Sequence, residues 1–157
     1  MIFDGGKSII GKSIHSIAVT IIALFMVTEL VSCSRDTNSP NTFNMELFEN
    51  AMNVKGYNYE IKDVEQDFLP TTRKRMIIDD KVIDIYLFSN DNEMEHEASH
   101  IDSGGYSYNN SSNVSWVSIP HFYKKGSLIV EYVGEDENIM SDLPDILGEE
   151  FAGNTPY

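Results

Sequence analysis

The sequence predicts an α+β fold: an antiparallel sheet of about five strands with helices packed on one face, preceded by a signal peptide and a flexible spacer. Two observations lead there. Short runs with period-two alternation come in pairs joined by tight turns, at Asp79-Asp80 and at Lys124-Lys125-Gly126. Helical stripes fall before, between and after those pairs, and do not alternate with single strands as crossover helices would.

The first predicted element is a helix. Phe43, Leu47, Phe48, Ala51 and Met52 recur at helical spacing for about three turns, ending near Gly56, with Ser39-Pro40 or Thr42 as the start. Tyr57 to Phe68 alternates Tyr57, Tyr59 and Ile61 against polar neighbours, which reads as a half-buried strand. Leu69-Pro70-Thr71 turns the chain into a hairpin of Arg73–Ile78 and Lys81–Phe88. There Ile83, Ile85 and Leu87 share one face, while Asp84, Tyr86 and Phe88 share the other. Asn90 or Asp91 caps a short helix from about Asn92 to Ile101.

Ser103 to Asn113 (SGGYSYNNSSN) is a Gly, Ser, Asn and Tyr loop, paratope-like in composition but equally that of a plain surface loop. Val114–Tyr123 and Ser127–Val133 form a second hairpin. The last predicted element, Glu135–Leu147, carries a stripe of Ile139, Leu143, Ile146 and Leu147, with Gly148 as C-cap. Pro144 falls inside it and removes a backbone hydrogen bond, so the helix is expected to restart near Asp142 as a new N-cap.

Residues 1–32 read as a cleaved lipoprotein signal peptide. Lys7 and Lys12 supply a positive start, and Ile14 to Val27 is an almost uncharged apolar run. Leu30-Val31-Ser32 then places small and apolar residues directly before Cys33, the only cysteine. That is the pattern in which a thiol is diacylated and the preceding peptide bond cut. A spanning anchor is the alternative, but a span needs about 20 apolar residues, and Glu29 interrupts the run. The expected organisation is therefore signal peptide 1–32, spacer 33–42 from lipidated Cys33, and a single domain over 43–157. The expected location is the extracytoplasmic face of the cell membrane.

Removing 32 of the 157 residues leaves 125, enough for one domain with a core. The leader is neutral (Asp4, Lys7, Lys12, Glu29), so the remainder keeps the whole net charge of −14. Such a domain is repelled by nucleic acid phosphates and by anionic head groups. Nucleic acid is excluded as a partner, and the membrane is reached through the lipid, whose two acyl chains satisfy the requirement for stable anchoring. With Cys33 acylated no disulfide or CxxC pair exists, and no cofactor is called for.

Two motifs invite functional readings. His96-Glu97-Ala98-Ser99-His100 is HExxH, which on a helix sets two imidazoles on one face with a glutamate between them as general base on a zinc-bound water. Against this, Glu93, Glu95 and Glu97 make the helix look like a solvated surface helix. Ala98 stands where zincins carry a bulky apolar residue, and Ser103 and Tyr106 break the extended HExxHxxGxxH pattern. A third ligand would have to come from His121, Glu135 or Glu137. The second motif, Trp116 to Gly126, gathers Trp116, His121, Phe122 and Tyr123 before a basic turn, as candidates for a recognition surface or simply for core.

The segment WVSIPHFYKKGSLIVEYVGEDENIMSDLPDILGEEFAG, together with IDIYLFSNDNEMEHEAS more loosely, resembles small lipoproteins of Gram-positive, Bacillus-like bacteria that have no assigned activity. The resemblance implies a membrane-tethered small domain and supplies no functional residues. In that family the corresponding helix is acidic but is not marked by HExxH, so this chain departs there and at Pro144. The reading that results is a membrane-anchored extracytoplasmic lipoprotein acting as a binding or structural module at the envelope, not an enzyme. The alternative is a zinc-dependent hydrolase with His96 and His100 as ligands and Glu97 as base.

Overall fold

The computed structural model describes residues 42–153; the signal peptide, Cys33 and the spacer lie outside them. The chain is α+β as predicted. Helix α1 is Met45–Val54, followed by β1 (Glu60–Val64), β2 (Thr72–Ile78), β3 (Lys81–Leu87) and α2 (Asp91–Ala98). Then come the short strands β4 (Ser107–Tyr108) and β5 (Ser112–Asn113), β6 (Pro120–Lys125), β7 (Leu128–Val133), α3 (Glu137–Leu147) and β8 (Ala152–Gly153). Six strands form one sheet in the order β1-β2-β3-β7-β6-β8, every pair antiparallel.

Both predicted hairpins form, with tight turns. Asp79 takes φ 54° between β2 and β3, and Gly126 φ 57° between β6 and β7, the left-handed conformation that two-residue hairpin turns require. Gly126 is fixed for a second reason. A Cβ there would stand 2.1 Å from the carbonyl oxygen of Phe43, which accepts the Ser127 amide at 3.0 Å. Lys125 continues the seam, with Nζ 4.6 Å over the Phe43 ring and donating to the Ile146 carbonyl at 2.5 Å.

Strands β3, β6 and β7 are buried on both faces, and this corrects the expectation of helices on one face. On the first face Met76, Ile83, Ile85, Tyr123, Leu128 and Val130 pack against Phe48 and Met52 of α1 and the predicted stripe of α3. On the second, Phe68, Tyr86, Phe88, Phe122 and Ile129 are covered by Met94 and Ala98 of α2 together with Ile101. An apolar surface on each side of a sheet needs a layer on each side. One hydrophobic helix face cannot cover both.

Local corrections follow the same logic. The α1 cap is Asn44, whose Oδ1 accepts the Leu47 amide at 3.2 Å, not Thr42. The Ser103–Asn113 loop contains the β4–β5 pair, and β8 adds a sixth strand that two residues could hardly announce. Helix α3 does not restart at Asp142. It begins at Asp136, which caps Asn138 and Ile139, and runs through Pro144. The lost hydrogen bond is offset by burial of Ile139, Leu143, Ile146 and Leu147. Polar contacts clamp the solvent side: Tyr57 donates to Asp142 at 2.8 Å, and Lys55 pairs with Asp142 and Asp145 at 2.8 Å each.

Phe48→Ala removes a fully buried ring and should cost about 3–5 kcal/mol in urea unfolding. Leu47→Ala, one residue along but 45% exposed, should cost less than about 1 kcal/mol. Equal losses would refute this placement of α1.

Candidate functional site

The second face of the sheet carries an unusual row. Cross-strand register aligns Arg75, Asp84, Glu131 and Phe122 side by side, with Arg73, Tyr86 and Ile129 in the next row but one. Asp84 sits at the centre of β3 and is 8% exposed. Arg75 grips both its oxygens, Nε to Oδ1 and Nη2 to Oδ2, each at 2.7 Å. Arg73 Nη1 adds a third bond to Oδ2 at 3.1 Å, while also donating to Asp67 and, through Nε, to the Glu65 carbonyl at 2.9 Å.

Glu131, across from Asp84 on β7, is 3% exposed. Burial, and then the charges of Asp84 and Asp67, push its carboxyl up to about 8, against the Tyr86 hydrogen bond that lowers it. The Tyr86 hydroxyl stands between two carboxyl groups, 2.9 Å from Asp67 Oδ1 and 2.8 Å from Glu131 Oε2, and has one proton to share between them. Tyr86 itself, buried between two carboxyl groups, is held far above the ordinary phenol range.

A cleft of about 380 Å³ opens over this network, lined by Asp67, Arg75, Asp84 and Glu131 below and by Trp116 and Val117 along its edge. Trp116 is positioned, not loose. Its Nε1–H donates to the Gly105 carbonyl at 2.8 Å, and its ring meets Phe68 edge-on at 5.6 Å and Phe122 at 6.3 Å. Val117 is 99% exposed at the mouth.

The other candidates from the second motif do not join Trp116 at this surface. Phe122 and Tyr123 are buried on opposite faces of β6. His121 is 3% exposed, stacked on Tyr132 at 6.3 Å, with Nδ1 3.0 Å from Glu150 Oε1. Missed altogether were Asp84 and Glu131. Their signal was present: one acid at the midpoint of each apolar strand (KVIDIYL, LIVEYV), with two arginines at alternate positions of the neighbouring strand.

The HExxH residues lie at the far end of α2. Asn90 caps the helix, accepting the Glu93 amide at 3.0 Å, while Glu93 Oε2 accepts the Ser89 amide at 2.9 Å. The helix ends at Ala98 with Ser99 as C-cap, so His100 stands just beyond it, in the turn. Its ring still comes within 4.7 Å of His96, edge to face. Glu97 is engaged by the Tyr108 hydroxyl of β4, which donates to its Oε2. To act as a base it would have to give up that bond. His121, Glu135 and Glu137 stand outside the group.

Among the described residues no helix is long and apolar enough to cross a membrane. No family model, curated protein or solved structure matches the chain.

The Glu131 carboxyl gives a pH signature of defined sign. Its folded pKa is raised from about 4.5 to about 8, so its contribution to stability is present in full below pH 4.5 and is lost as pH rises through 8. Wild-type unfolding free energy should fall relative to Glu131→Gln between those limits, by on the order of 1 kcal/mol per pH unit. Parallel pH profiles for the two proteins would show that Glu131 is ionised in the fold.

Proposed function

We propose that the chain is an extracytoplasmic lipoprotein, held at the cell membrane through diacylated Cys33, whose domain is a binding module that takes a ligand in the Trp116 cleft. The anchoring part rests on the sequence of residues 7–33, an apolar run framed by lysines before it and a small-residue step into the only cysteine after it. An acidic domain of net charge −14 has no electrostatic means of adhering to an anionic bilayer. The lipid would do all the holding.

The binding part rests on one observation, the pairing of a fixed indole with a floor of hydrogen-bonding groups in a cleft of about 380 Å³. That volume falls in the range of small-ligand sites. The charges of the lining are largely paired: Arg75 and, from beneath, Arg73 hold Asp84 and Asp67, Asp80 pairs with Lys81, and Glu131 is neutral below about pH 8. A neutral polar ligand with one apolar side, such as a sugar ring, suits that chemistry better than an ion of either sign. The network is also costly to bury for stability alone, since ion pairs in interiors contribute little net free energy.

Two measurements test these parts separately. Cys33→Ala, which can carry no acyl chains, should leave the membrane fraction for the soluble one. A variant that stays with membranes and is not shortened would make residues 7–30 an anchor in their own right. For the cleft, soluble neutral oligosaccharides should change the emission of Trp116, the only tryptophan, in a saturable way. Val117→Glu, at a fully exposed position on the rim, should weaken that response with no change in stability. An emission that no oligosaccharide alters, or that Val117→Glu leaves as in the wild type, would remove the cleft as the site.

A further inference from the structure

We infer that His96, Glu97 and His100 form a binding site for a divalent transition-metal ion of the zinc type, with Glu97 as a ligand and not a base. This goes beyond the cleft reading and does not depend on it.

Each of the three side chains offers one donor atom, and these atoms all lie within 4.8 Å of one another. Two imidazole nitrogens and one carboxylate oxygen are a donor set for zinc, copper or nickel; calcium and magnesium require oxygen cages. Bonds of about 2.0–2.2 Å bring tetrahedral ligand atoms to roughly 3.5 Å apart. Closing the site therefore takes about 1 Å of side-chain movement. His96 is exposed and can supply it by rotation alone.

Three further observations separate this group from a chance pair of histidines on a polar helix. Tyr108, from another element, donates to Glu97 Oε2, the kind of outer contact that orients a ligating carboxylate. The Tyr108 ring also packs edge-on against His100, centroids 5.9 Å apart, and fixes the imidazole plane. Finally, His100 Nδ1 is buried with no hydrogen-bond partner among the described residues. A buried imidazole nitrogen that hydrogen-bonds to nothing is unusual, and coordination would satisfy it.

The backbone holds the same geometry. The Asn109 amide donates to the His100 carbonyl at 2.8 Å, and Ile101 pairs with Tyr108 across an isolated bridge. The β4 strand is thus clipped to the residues following α2, and Tyr108 cannot drift from Glu97. Three protein ligands leave a fourth position open to water or to a group brought by a partner.

The test is calorimetric titration of Zn(II) into the untagged full chain, with excess Ca(II) present to occupy the acidic surface. One ion per chain is expected. His96→Ala and His100→Ala should each weaken binding more than ten-fold, and Tyr108→Phe should weaken it by about ten-fold through loss of the orienting bond. The His96 and His100 ring protons should shift in NMR spectra on zinc addition while those of buried His121 do not, a readout that survives should a variant fail to fold. Absence of stoichiometric uptake, binding unchanged in His96→Ala, or ring signals of His96 and His100 that do not move would each overturn the assignment.

Discussion

A carboxylate in the middle of a buried strand constrains this molecule more than any other single group. Asp84 lies on β3, the strand that joins the two hairpins, and is buried but for its edge on the cleft. An ionised carboxylate in such a place is tolerated only when matched by opposite charge and saturated with hydrogen bonds. Arg73 and Arg75 provide both, and they can do so only because β2 pairs with β3 in one register. A slip of one residue would turn the guanidiniums to the other face and leave buried Asp84 without a matching charge. The ion-pair cluster therefore specifies the alignment of the sheet, whatever its net free energy.

The rest of the second face follows from that choice. With Asp84 charged, its cross-strand neighbour Glu131 does better as a neutral acid than as a second anion. The Tyr86 hydroxyl then bridges Glu131 to Asp67. Trp116, Phe68 and Phe122 then wall in a polar floor that would otherwise open to water. Cleft and network are one construction: the same side chains that hold the strands in register line the space where a ligand would sit.

How much of this was legible depended on how local each signal was. The hairpins, the cap at Asn90 and the stripe of α3 were all visible, because each is written in residues within a turn or two of one another. The face chosen by α2 was not, although Tyr86 and Phe88 already pointed away from Ile83 and Ile85. Deciding it needed the knowledge that β7 and β6 are apolar on that side too, a property of strands forty residues downstream. Pro144 misled for a related reason: its local preference is to break the helix, and tertiary burial overrides it. At the sites, the HExxH spacing pointed to two imidazoles on one helix; the rings do lie 4.7 Å apart, but His100 stands past the helix end. The part of Tyr108 was invisible, since nothing in an eleven-residue separation announces a contact with Glu97.

The outer strands of the sheet bear on how such a domain behaves in a crowd. β1 is five residues long with Glu60, Lys62 and Asp63 along it, and β8 at the other edge has only two residues. Open, flat strand edges are templates on which further copies can add. The charged, abbreviated borders of this sheet give a further copy little to add to.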